Sequence, residues 1–293
     1  MKKHCVLVVG AGPAGCYATR VLSQQDIQVV LLNRDLKPGG LAEYGIHPSK
    51  HRFREAMRQQ FQSLIERPNV DYLGGVAVGQ KQALTLPEIQ QLDFDAVLFT
   101  TGAQESKHSG IPGLETGGVF EAKSLIYHLQ GMPPYAQQPF PLGHRIALLG
   151  TSDIKAELAL WIALQKQAKE LLFIEDDIGY WGTDNRKSSL LQLKNIVRAV
   201  DLISFASELK RIEGALLPLG QNPTSWQKTV NEMSMNAEPY DGSTRIHFRF
   251  LSTPVQVHSE NGHVTGVEVQ HNLLQLEGAS LSVRPSGGTE IIP

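Results

Sequence analysis

The chain opens on a compact apolar run, Cys5 to Val9, which predicts a strand buried on both faces. Gly10-Ala11-Gly12-Pro13-Ala14-Gly15 follows at once. Ala18, Val21 and Leu22 then take helical spacing, and Gln28 to Leu32 is a second apolar strand. Ala96 to Phe99 is another apolar run, and it ends at Thr100-Thr101-Gly102-Ala103. The succession repeats in outline farther on. Arg145 to Leu149 is short and apolar, Gly150 ends it, Thr151-Ser152-Asp153 makes a polar turn, and an apolar-periodic stretch begins at Ile154. Leu158, Trp161 and Ile162 are helix-spaced and read as core, in a helix continuing to Lys166. A further strand lies in the stretch ELLFIEDD, Glu170 to Asp177. Thr244 to Val269 alternates around a turn at Asn261-Gly262, which predicts an antiparallel β excursion. Pro133-Pro134 through Pro141 reads as a connector into the strand at Arg145.

The first of these successions carries chemistry. Strand, glycine turn, helix and strand follow one another within the length of a βαβ unit, and the turn matches G-x-G-x-x-G. Gly10 permits the tight turn, Gly12 lets the backbone approach a pyrophosphate, and Gly15 lets the helix pack on the strand. The helix N-terminus beginning at Pro13 and Ala14 offers N–H groups and a positive dipole end to phosphates. A glycine turn needed only for packing is the alternative reading. An acidic residue commonly ends the second strand and holds the adenosine ribose, but here the strand ends at Asn33, followed by Arg34. An amide still bonds a hydroxyl, without charge assistance, so weaker ribose binding is expected. Asp35 is either a substitute or a solvated turn residue. The fold expected is α/β, with two Rossmann-like nucleotide-binding domains over residues 1–105 and 106–293, the second interrupted by the β excursion.

Composition narrows the functions available. The 293 residues are 41% hydrophobic and 19% charged, enough apolar material for a real core and a length that favours two domains. A net charge of −2 gives no basic field for nucleic acid or anionic lipid. MKKHCVLVVGAG superficially resembles a secretion signal, but the run breaks at Gly10-Ala11-Gly12-Pro13 with no cleavage site beyond it, and no stretch is long enough for a membrane span. The two cysteines, Cys5 and Cys16, form no C-x-x-C pair, which fits a reducing, cytoplasmic setting and argues against an internal redox disulfide. Among ten histidines there is no H-E-x-x-H or close Cys/His cluster, so no metal is expected, and Pro48 interrupts the pair His47 and His51. No catalytic side chain is assigned.

The stretch after Arg34, DLKPGGLAEYGIHPSKHRFRE, sharpens the picture. Pro38-Gly39-Gly40-Leu41 followed by Tyr44-Gly45-Ile46-x-Pro48 resembles the flavin-approach loop of FAD-dependent pyridine-nucleotide oxidoreductases. The likeness is to the group containing adrenodoxin reductase, bacterial ferredoxin–NADP reductases and the small subunit of glutamate synthase. GGVAVGQ is similar to the strand that meets the adenine, with Val78 at the contact, and FDAVLFTTGA to the turn closing the first flavin segment, with Thr101, Gly102 and Ala103. IPGLETGGVFEAKSLIYHLQGMPPY and RIHFRFLSTPVQVHSENGHVTGVEV are similar to later segments, while Asp176 to Ala237 matches poorly. Gly39, Gly40 and Gly45 also give a backbone able to pass close to a planar ring.

The resemblance implies FAD in the first domain and NADPH or NADH in the second. Hydride would pass to the flavin, and electrons would go on to a ferredoxin-like protein, another flavoprotein or a partner subunit. It implies departures too. The family's Asp-His pair near Ser49 and Lys50 is missing, and either Lys50 or His51 stands in for it or nothing does. In the second nucleotide loop, Gly150 keeps the first turn position, but Ser152 replaces a close-approach glycine and Asp153 sets negative charge beside the phosphates, so weakened nicotinamide affinity is expected of Gly150 to Ile154. The arginine pair that holds a 2′-phosphate is replaced by Glu175, Asp176 and Asp177. Either Glu175 accepts hydrogen bonds from an unphosphorylated ribose, or this is an acidic loop without ligand; Arg186 and Lys187 keep NADPH open. The last residues, SGGTEIIP, fall where the family's closing strand would be starting, and the segment that returns to the flavin is then expected to be missing: a fragment, a short form, or half of a complex. The competing functions are a non-catalytic flavin-binding subunit with a degenerate nicotinamide site and, sharing only the first loop, a flavin oxygenase. Without C-x-x-C, thioredoxin reductase-like chemistry is disfavoured.

Overall fold

The computed structural model describes residues 4–46, 50–103, 109–133, 135–150, 154–164, 168–177, 199–220, 222–236, 243–277 and 280–293. It divides into two compact units, residues 1–107 with 123–138, and residues 108–122 with 139–293. The chain thus leaves the first unit near 105 and returns to it for one further helical stretch.

In the first unit, β1 (Cys5–Val9), β2 (Gln28–Asn33), β3 (Val70–Gly74) and β4 (Ala96–Phe99) form one parallel sheet in the order β3-β2-β1-β4. Central β1 is apolar throughout because both of its faces are covered. Val6 and Val8 pack with Val29, Leu31, Phe61, Leu64 and the Cys16 thiol. Leu7 and Val9 point the other way, towards Leu32 and Ile89. α1 (Pro13–Gln24) connects β1 to β2, as its helical spacing predicts. α2 (Leu41–Tyr44), α3 (His51–Ile65), α4 (Leu86–Gln91) and α5 (Ala122–Leu129) follow, α4 opened by a reciprocal capping box between Thr85 and Glu88. β4 lies at the sheet edge with all four residues exposed.

The second unit holds a parallel sheet of β5 (Arg145–Leu148), β6 (Glu170–Ile174) and β7 (Arg245–Arg249), with α6 (Ile154–Leu164), α7 (Leu202–Leu216) and α8 (Pro223–Asn236). Leu158 and Ile162 of α6 are buried as their spacing predicts, with Trp161 half-buried. Its core includes Phe173, Phe205, Phe248 and Phe250, with Phe248 stacked on Phe250 at 5.5 Å. The β excursion differs from expectation at its start. β7 is not antiparallel but pairs in parallel with β6, Arg245 against Glu170, because alternation reports a half-buried strand without naming its partner. The antiparallel part is β8 (Ser252–Glu260), β9 (His263–Glu277) and β10 (Ser280–Ile292), turning at Asn261-Gly262, both with positive φ. The final SGGTEIIP therefore belongs to the end of β10, with Ile292 opposite Val267.

One buried acid holds this unit together. Glu208 of α7 is 6% exposed. It accepts two bonds from Arg211, at 2.8 and 2.6 Å, one from the Phe250 N–H at 2.7 Å, and lies 3.4 Å from Arg249. Glu208→Ala leaves the amide and two part-buried guanidinium groups short of an acceptor. We expect it to lower unfolding stability by about 3–5 kcal/mol in urea titrations.

Candidate functional site

The glycine turn is made by the end of β1 and the start of α1. Gly10 takes φ +105° and donates its N–H to the Leu32 carbonyl at 2.8 Å. Thr100, just past β4, donates its hydroxyl to the Gly10 carbonyl at 2.7 Å. A Cβ on Gly10 would lie 2.6 Å from the Thr100 carbonyl oxygen, and one on Gly15 would lie 1.9 Å from the Gly10 oxygen. These two glycines are therefore demanded by the protein's own backbone. Gly12 is different. It is the N-cap of α1 at φ −71°, and a Cβ there would meet nothing within 4 Å. Pro13 takes the first turn of the helix, which no side chain caps and no acid enters, so its N–H groups, including that of Ala14, face outward with the positive dipole end.

The Pro-Gly-Gly-Leu loop lies against this turn. The Gly39 N–H donates to the Ala11 carbonyl at 2.7 Å, and Gly40, at φ +50°, comes so near that a Cβ would stand 3.1 Å from the Gly12 Cα. Leu41 begins α2 and is exposed, and Gly45 ends it where a Cβ would stand 2.8 Å from the Leu41 carbonyl oxygen. Thr101, Gly102 and Ala103 are exposed at the end of β4, and no atom would crowd a Cβ on Gly102. Val78 is half-buried, bridges to Leu84 and packs on the Leu7–Val9 side of the sheet. Lys50 and His51 are exposed at the start of α3; His47, Pro48 and Ser49 lie outside the described residues.

Asn33, expected near the adenosine ribose, is bonded to its own loop. Only 7% exposed, it accepts from the Ala11 N–H at 3.2 Å through Oδ1, and its Nδ2 donates to the carbonyls of Asp35 and Lys37 at 3.0 and 2.8 Å. A carboxylate could not donate these two bonds, so the amide shapes the loop leading to Gly39-Gly40. The neighbouring Arg34 is exposed and Asp35 half-buried, with Arg34 Nε 3.4 Å from the Asp35 carboxylate.

Two supports of the loop carry no local sequence signal. Arg58 of α3 donates through Nε and Nη2 to both carboxylate oxygens of Glu43, which is 5% exposed; this bidentate pair holds Arg58 protonated above its ordinary range and ties α2 to α3. Gln130, beyond α5, donates to the Ile46 carbonyl at 2.7 Å.

In the second unit, Gly150 follows β5 with φ +97° and, among the described residues, open space where a Cβ would be. Thr151, Ser152 and Asp153 lie outside the described residues, as do the Ile154 side chain and both Arg186 and Lys187. Glu175, expected at a ribose, is 1% exposed, and Lys155 donates to its Oε1 at 2.9 Å. This carboxylate is turned inward, onto Lys155. Burial pulls the Lys155 pKa down and the Glu175 pKa up, and each charge opposes the other's shift. Lys155 Nζ also donates to the Gly150 and Ile174 carbonyls at 2.6 and 2.8 Å, so all of its recorded polar contacts lie within the protein. Asp176 is exposed.

Among the described residues no cluster of three metal-ligating side chains occurs, and no helix is long and apolar enough to cross a membrane. Cys5 and Cys16 are unpaired thiols. Burial pushes the Cys16 thiol up to about 12. At pH 8 about one molecule in ten thousand would carry its thiolate. We expect Cys16 to resist iodoacetamide in the native protein at that pH and to react fully once unfolded, as mass spectrometry would read.

A glycine turn at the carboxyl ends of a parallel sheet, and a second unit with its own parallel sheet, define an α/β protein of the dinucleotide-binding fold class. The chain belongs to the pyridine nucleotide-disulphide oxidoreductase family, which matches residues 4–194. It is 22% identical to the NADPH-ferredoxin reductase FprA of Mycobacterium leprae, over 99% of this chain and 68% of that protein. It is 23% identical to the mitochondrial NADPH:adrenodoxin oxidoreductase of Arabidopsis thaliana, over 97% of this chain and 64% of that one. The fold is similar to Mycobacterium tuberculosis FprA in complex with NADPH, with a TM-score of 0.77 at 21% identity, over 100% of this chain and 69% of that one. The chain thus spans between 64% and 69% of the lengths of these proteins.

Proposed function

We propose that the first unit holds FAD, that the second holds a nicotinamide dinucleotide, NADPH or NADH, and that the chain passes electrons from one through the other to a ferredoxin-like acceptor. The observation that carries the reading is the pairing of Gly12 with Gly40. Two glycine backbones from separate loops meet beside an uncapped helix N-terminus, and no side chain fills the space in front of Gly12. A pyrophosphate needs that bare cradle, so the residues present fit the group. The Ala14 N–H and its helix end would bind the phosphates. Gly40, Leu41 and Gly45 would carry backbone past the flavin ring, Val78 would meet the adenine, and Thr101, Gly102 and Ala103 would close the far side. Asn33 and the exposed Arg34, at the end of β2, would lie towards the adenosine. When bound, FAD supplies the hydride-accepting chemistry.

The names of the relatives, reductases of ferredoxin and adrenodoxin, support a small electron-carrier protein as acceptor. With its two cysteines outside any C-x-x-C pair, the chain offers no dithiol for disulfide exchange. The test is direct. Purified protein should show flavin absorption, bleach anaerobically on NADPH or NADH, and then reduce an added ferredoxin. A colourless protein that takes up no FAD sinks the reading.

A further inference from the structure

Lys155 is 4% exposed, although it is the second residue of α6 and stands beside the second nucleotide turn. Its Nζ is surrounded from within: by the Gly150 carbonyl at 2.6 Å, the Ile174 carbonyl at 2.8 Å, the Glu175 carboxylate at 2.9 Å, and the Phe173 ring with its centroid at 5.4 Å. A lysine in the first turn of a helix ordinarily reaches solvent, and burying one is costly unless it is fully paired. The pairing here joins three elements. It fastens the last residue before the turn to the helix after it and to the end of the neighbouring strand.

The captured carbonyl is the important one. A carbonyl oxygen facing a phosphate sets acceptor against anion. At Gly150 that oxygen is drawn into the protein, while among the described residues a Cβ on the same residue would meet nothing within 4 Å. We propose that Lys155 is a positioning residue for the nicotinamide-dinucleotide turn. It holds the Gly150 carbonyl inward, so that this oxygen does not face the pyrophosphate, and Glu175 serves as its partner and not as a ribose ligand. The inference rests on the assignment of the second unit to a nicotinamide dinucleotide.

The experiment uses FAD-loaded protein and equilibrium binding of NADP+ and NAD+, without turnover. In the double variant Lys155→Met, Glu175→Met the charged pair is replaced by apolar side chains of similar volume, an exchange that buried ion pairs commonly tolerate. The expected result is a melting temperature and FAD content close to wild type, with dinucleotide affinity at least tenfold weaker. In steady state KM should rise by a similar factor and kcat should hold, the signature of lost ground-state binding. A folded double variant that binds within threefold of wild type overturns the inference, because the pair is then only a core ion pair. If the double variant does not fold, Glu175→Gln decides: it leaves three oxygen acceptors around Nζ and should weaken binding less than threefold. A larger loss overturns the inference, since the carboxylate itself would then be contributing to the ligand. Wild-type protein that binds neither dinucleotide refutes the assignment of the unit, and the inference with it, before any variant is made.

Discussion

Gly15→Ala should destroy the first unit, lowering its unfolding stability by more than about 4 kcal/mol, or leaving no soluble protein. One methyl group has this effect because of where it would go. Its carbon would lie 1.9 Å from the Gly10 carbonyl oxygen, 2.6 Å from the Thr100 hydroxyl and 3.0 Å from the Gly10 carbonyl carbon. None of these can step aside cheaply. Gly10 is held by its N–H to Leu32 at 2.8 Å and by the Thr100 hydroxyl on its carbonyl at 2.7 Å. Its φ of +105° confines the turn as well. Relief would require α1 to lift off β1, uncovering Cys16 and the Val6–Val8 face of the sheet. Urea unfolding monitored by circular dichroism, or the soluble yield, reads the result; a variant that unfolds within about 1 kcal/mol of wild type would contradict this geometry.

How much of this was legible follows from how local each cause is. The first βαβ unit could be read directly, since β1 and β2 are continuous apolar runs and the turn between them has its glycines at fixed offsets. The second unit announced itself through Arg145 to Gly150 and the spacing of Leu158 and Ile162. Where a partner lies far along the chain, the sequence is silent. The bond of Asn33 to the Ala11 N–H, 22 residues away, has no local mark. The contact of Glu175 with Lys155, 20 residues earlier in a different element, has none either. The pairing of Glu43 with Arg58 spans 15 residues and two helices, beyond any helical spacing rule.

Two further elements stand apart. α3 carries a legible signal that went unread: Met57, Phe61, Leu64 and Ile65 take helical spacing and pack on the core of the first unit. β10 contains Pro285 and Gly287-Gly288, which punctuate a sequence as a turn would. The strand absorbs them in a register shift between Pro285 and Thr289 and then resumes pairing with β9. The same alternation that made β8 and β9 visible could not say that β7 belongs to a parallel sheet. Turns shaped by the backbone are therefore more legible than side-chain contacts, because glycine offsets are local and side-chain partners are not.

Gly12→Ala should do to the ligand what Gly15→Ala does to the fold. At Gly12 the added Cβ meets nothing within 4 Å and the φ of −71° suits alanine, so the chain alone has room for it. The residue is the N-cap of α1, where alanine is poorer than glycine, and that sets a cost of at most about 1 kcal/mol on the FAD-free protein. The methyl group would instead stand in the open face that we assign to the pyrophosphate, holding its oxygens away from the helix N–H groups. FAD affinity should fall at least tenfold, about 1.4 kcal/mol, while the melting temperature of the FAD-free protein moves by only a few degrees. The contrast between the two variants is the informative measurement: equal stability losses would make both glycines matters of packing, whereas loss of flavin from a folded Gly12→Ala protein ties the open face to the cofactor. Fluorescence titration of FAD into the FAD-free variant reads the affinity, and binding equal to wild type would mean that the pyrophosphate lies elsewhere.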